Sequence, residues 1–131
     1  MLRDIESRED LELLVNEFYR HVRVDEVLGP IFNRIIGDDW SHHLPIMYTF
    51  WNTVLFGAEG YKGQAVGKHV EIDRKMPLNE EHFDRWISLW RQTVDRMFEG
   101  DNADRIKDKA NTMLQLIQFK VQASRSGKSL F

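Results

Sequence analysis

Gly67-Lys68-His69-Val70-Glu71-Ile72 is the stretch around which the rest of the chain is arranged. Gly57, Gly60, Gly63 and Gly67 lead up to it and Pro77 closes it, which reads as a loop over 57–67 and then a segment too glycine-punctuated for an ordinary core helix. Long loops in compact domains are often functional. His69 therefore has two readings: a core side chain satisfied by its neighbours, or a metal ligand presented to a flat cofactor. The flanking segments decide between them.

Downstream, Asn79 offers an acceptor to the first unpaired amides of a helix. Glu80 and Glu81 fall in the first turn, where negative charge suits the helix dipole. Phe83, Trp86, Ile87, Trp90, Val94, Met97 and Phe98 come next at helical spacing as one apolar face. Gly100 ends this helix and Asp101 is expected to cap the next, whose stripe is Ile106, Ala110, Met113, Leu114, Ile117 and Val121. Residues 124–131 are polar except for the last two and are expected to fray.

Upstream, Ser7 is the expected N-cap of a helix with Asp10 in its first turn. Its buried stripe is Leu11, Leu14, Val15, Phe18 and Val22, and Tyr19 adjoins that stripe with a hydroxyl that needs a partner. Asp25 to Ile36 reads as a short helix or turns broken at Leu28-Gly29-Pro30, with Ile31 and Phe32 buried. Asp38, Asp39 or Ser41 can open the next helix, and Ser41 suits a regular start because Pro45 then lies in the first turn. His43, Met47, Phe50, Trp51 and Val54 share one face, with Trp40 one turn earlier. His43 is thus either satisfied in a core or facing a ligand. His42, about 100° round the helix, points to solvent.

No strand-like alternation, repeat or low-complexity segment interrupts these patterns, so the fold class is all-α. One domain spanning 1–131 is expected, with its core over about 8–122 and a frayed tail from 123 on. At 131 residues and 42% hydrophobic content the chain can bury a real core. Without cysteine it has no disulfide, thiolate metal site or cysteine nucleophile. A net charge of −3 and a pI near 5.9 speak against nucleic-acid binding. The sequence shows no signal-like start and no apolar run of about 18 residues, which suits a cytoplasmic protein that does not span a membrane. Monomer is the default expectation.

Several common sites are missing. There is no phosphate-cradling glycine loop and no nucleophile elbow. His42-His43 lacks the i, i+4 spacing of helical zinc sites. Glu80-Glu81-His82 sits at a helix start and reads as capping rather than acid–base machinery. What remains is a joint pattern: one histidine after a glycine-rich loop, a second on an aromatic helix face, and the polar hydrogens of Tyr19 and Trp86. An axial imidazole, an apolar slot and a few donors are what a protein needs to hold haem. The competing readings are a haem-independent helical interaction module and a non-haem metal or small-molecule enzyme.

The sequence resembles the truncated haemoglobins, and within them the third group. The resemblance rests on Phe18-Tyr19, Leu28-Gly29-Pro30-Ile31-Phe32-Asn33, Trp40-Ser41-His42-His43 leading to Phe50-Trp51, Gly67-Lys68-His69, and Phe83 with Trp86. It runs from about residue 8 to 122 with order and spacing intact. It implies a shortened globin fold, a two-over-two helical sandwich with a nearly absent first helix and a loop replacing much of the proximal helix. It implies haem b with His69 as proximal iron ligand, and a distal pocket of Tyr19, His43 and Trp86. Phe32 would pack on the haem face, with Phe50 and Met47 beside it. Met47 stands where the family usually has an aliphatic residue. The implied partners are oxygen, carbon monoxide, nitric oxide or similar small ligands, with a reductase possible. Oxygen binding, with nitric oxide dioxygenase-like or peroxidase-like turnover in view, is the function this implies.

Overall fold

The computed structural model describes residues 1–37, 39–61 and 65–126. The candidate cap Asp38, the loop residue Gly63 and the end from 127 to 131 lie outside the described residues. Among those described there are six helices and no strand: α1 (Arg8–Val24), α2 (Gly29–Ile36), α3 (His43–Phe56), α4 (Ala65–Lys75), α5 (Glu80–Met97) and α6 (Asp101–Arg125). The pair α1 and α3 packs on the pair α5 and α6, with α1 meeting α5 and α3 meeting α6. Two helices lie over two, as the resemblance implied.

The apolar stripes became the core. Leu11, Leu14, Val15, Phe18 and Val22 of α1 are fully buried, as are Trp90 and Val94 of α5 and Ile106 and Ala110 of α6. Burying one such aliphatic or aromatic side chain contributes roughly 1.5–3 kcal/mol, which outweighs any local preference in these segments. Ser7 Oγ accepts from the Asp10 amide at 3.3 Å, and Asn79 and His82 form a reciprocal capping box. The capping reading of Glu80-Glu81-His82 thus describes the geometry found.

Four expectations changed. First, α3 starts at His43, not Ser41; the Asp39 carboxylate instead receives the Ser41 amide at 3.0 Å and closes a local turn before the helix. Second, α6 is capped from outside its own segment. Asp4 accepts the Asn102 and Ala103 amides at 2.9 and 2.8 Å, where Asp101 was the expected cap. Gly100, at φ +142°, lets this happen, since a Cβ there would fall 2.6 Å from the Asp4 carboxyl carbon. Third, the core begins before residue 8, because Ile5 is fully buried and the Arg3 carbonyl accepts a backbone bond from Glu99. Fourth, the stretch around His69 is helical. α4 takes in Gly67, and the regular helix α6 continues through Ser124 to Arg125. One glycine inside a helix costs only about 1 kcal/mol relative to alanine. Val70 and Ile72 offset this by packing, partly buried, against a second core cluster that includes Leu78, Phe83, Ile117 and Val121.

The corner that carries Phe32 is fixed by charge. Asp25 is buried, accepts the Val27 and Leu28 amides at 3.0 Å each, and takes a 2.7 Å bond from Arg85 of α5. Gly29 is required there, because a Cβ would lie 2.9 Å from the Arg23 carbonyl oxygen.

Candidate functional site

Three helices converge on Tyr19. Its side chain belongs to the buried face of α1 and meets Phe32 of α2 at 6.0 Å between ring centres, Trp40 before α3 at 5.2 Å, and His43 of α3 edge-on at 5.6 Å. Trp40 and His43 are themselves perpendicular at 5.7 Å. Phe18 links this group to Trp86, at 5.6 Å, and Trp86 lies parallel to Trp90 at 6.0 Å, which stacks on Trp51 at 4.5 Å. Tyr19, Phe32, His43 and Trp86 are therefore brought into one aromatic assembly, half-buried except for Tyr19, which is buried. Met47 and Phe50 pack on the same cluster, but the ring partners of Phe50 are Trp51 and Tyr61.

Electrostatics sets the state of the two polar groups. Burial pushes the Tyr19 phenol far above its ordinary value, so it remains an O–H donor at neutral pH. His43 is pushed below its ordinary value, first by burial and then by the charges of Lys68 and His42, and is neutral at pH 7. Its Nε2 is sealed from solvent without a partner, and so is the indole Nε1 of Trp40. Buried polar atoms in folded proteins are nearly always paired, so two adjacent orphans point to a group that comes from outside the chain.

His69 stands half-buried on α4, one turn before Asp73, whose bond from the Leu78 amide closes the helix, and α4 rides on α6. Lys68, next to it, is one of the charges that lower His43. No three His, Asp or Glu side chains among the described residues gather as a metal site of their own. In the sequence Trp40 stands one turn before His43 and within the Trp40-Ser41-His42-His43 stretch of the resemblance, but no role in this site is read for it there.

Helices α1 and α3 packed on α5 and α6, with an aromatic assembly that joins a buried tyrosine to a histidine, are the arrangement of a shortened globin. No family model matches the sequence. The group 3 truncated haemoglobin ctb of Campylobacter jejuni is 30% identical over 115 residues, covering 86% of this chain and 88% of that protein. The crystal structure of a group III truncated haemoglobin from the same organism superposes with a TM-score of 0.84 at 28% identity, over 92% of this chain and 95% of that one. The chain belongs to the group III truncated haemoglobins, a globin family that binds haem. None of the helices among the described residues is long and apolar enough to cross a membrane.

Proposed function

We propose that this globin holds haem b through His69 and binds a diatomic gas on the opposite side, in a pocket where Tyr19, His43 and Trp86 face the ligand. Phe32, Met47 and Phe50 would supply apolar packing for the ring. The observation that carries the reading is the buried Tyr19 phenol beside His43, whose Nε2 is sealed from solvent without a partner. Bound there, haem would supply an iron able to take up a small ligand, with His69 as the residue that would hold it.

The chain's own groups govern how long that ligand stays. Tyr19 would donate its O–H to a bound diatomic ligand, and the Trp86 indole N–H would be a second donor. Neutral His43 adjusts or gates, with one ring nitrogen able to donate and the other to accept according to tautomer. Each donor to a group carrying charge contributes roughly 1.5–3 kcal/mol, or about 10- to 150-fold in dissociation rate. Two such donors make release slow. That suits turnover of oxygen, nitric oxide or peroxide better than delivery, because donors fixed in place stabilise charge growing on oxygen. A reductase would restore the ferrous state, and the cytoplasm is the expected setting.

The first experiment is the visible spectrum of the reduced protein before and after carbon monoxide. An intense Soret band that shifts with the gas is expected, and His69→Ala should lose it or change its position. A colourless protein that failed to take up hemin would leave the helical interaction module as the better reading.

A further inference from the structure

Trp40 is 4% exposed, and its Nε1–H is sealed from solvent with no acceptor. An indole nitrogen can only donate, so what is missing is an acceptor. The neighbouring orphan, His43 Nε2, belongs to a ring 5.7 Å away, and both rings lean on Tyr19. The Arg23 guanidinium covers one face of Trp40 at 5.0 Å, and as a cation it offers the indole no acceptor.

We propose that Trp40 is a further ligand-contacting residue of this pocket, whose indole N–H donates to the terminal oxygen of the bound diatomic gas alongside Tyr19. The inference rests on the reading that His69 carries haem with Tyr19 on the ligand side. It explains two unpartnered buried atoms side by side, which packing alone leaves unexplained. It also places three donors, from α1, the turn before α3 and α5, around one ligand rather than two.

The test is the infrared C–O stretch of the ferrous carbon monoxide complex in wild type, Trp40→Phe and Tyr19→Phe, with oxygen dissociation followed by stopped flow. A donor near the outer oxygen draws electron density onto the gas and weakens the C–O bond. Trp40→Phe should therefore move the stretch to higher wavenumber and speed oxygen dissociation roughly 10- to 150-fold, the worth of one donor to a charged group. If Tyr19→Phe moves both readouts and Trp40→Phe moves neither, the proposal is overturned while the pocket stands. If neither variant moves them, the pocket assignment itself fails and takes the proposal with it. A fall in hemin retention with an unchanged stretch would assign the N–H to a haem carboxylate and also overturn it. Should Trp40→Phe fail to fold, Trp40→benzothienylalanine replaces the N–H by sulfur at nearly constant shape and gives the same comparison.

Discussion

At the scale of single residues, burial keeps the Tyr19 phenol protonated and the His43 imidazole neutral at pH 7. Burial alone holds Tyr19 in its O–H form. Oxygen dissociation from the wild type should then stay flat through the ordinary tyrosine range near pH 10, whereas an exposed phenol would ionise there and cease to donate. Tyr19→Phe should speed that dissociation by about 10- to 150-fold in a stopped-flow trace, the loss of one donor to a charged ligand. His43 shifts in the direction that favours its neutral form, so below its ordinary value near 6.5 the unfolded chain binds more protons than the folded one. Its contribution to stability is full above that value and is lost as the pH falls below it; thermal melts from pH 7 to 5 should show a decline that His43→Phe reduces. The positions of Tyr19, His43 and Trp86 were legible because helical spacing puts each on an apolar face. The missing partners of Trp40 and His43 were not, because a hydrogen-bond account needs every neighbour in space.

At the scale of elements, α4 decides how His69 is presented. Its glycines suggested a loop, but spacing within six residues carries no record of Ile117 and Val121 waiting on α6 to receive Val70 and Ile72. The helix is then pinned at its far end. Asp73, buried one turn beyond His69, accepts the Leu78 amide at 2.8 Å and a 3.1 Å bond from Arg125 Nε, while Arg74 reaches Ser124. Arg125 chiefly holds the Asp73 carboxyl below the usual range, against the pull of burial. Arg125→Met leaves that carboxylate buried with one amide, at a cost of about 1–3 kcal/mol. The expected result is faster amide hydrogen exchange across 65–75 with α1 and α5 still protected, and faster hemin loss to an acceptor globin. Uniform loss of protection would mean that α4 does not open as a unit.

At the scale of the whole molecule, residues before α1 close the fold from the other end. Asp4 caps α6 across 98 residues of sequence, and its carboxylate takes a third amide from Ile5 at 2.8 Å. Burial works against this charge, but the three amides outweigh it and hold Asp4 below its ordinary value. Arg3 grips Asp10 with both terminal nitrogens and, with the Glu6 and Ser7 amides, draws it down to about 2 despite burial. A cap whose acceptor stands so far from its helix leaves no local signature, so Asp101 was the natural expectation and Asp4 the answer. Asp4, Asp10, Asp25 and Asp73 all shift downward, so between their ordinary and folded values the unfolded chain binds more protons. Their shared contribution is complete above about pH 4 and drains away as the pH falls toward 2. Acid unfolding followed by circular dichroism should therefore be steep in that window. Asp10→Asn should lower stability at pH 7 and flatten the acid limb, because the variant has already lost what the wild type loses on protonation. An acid limb of unchanged slope would show that the Arg3–Asp10 pair does not hold the N-terminal segment to the core.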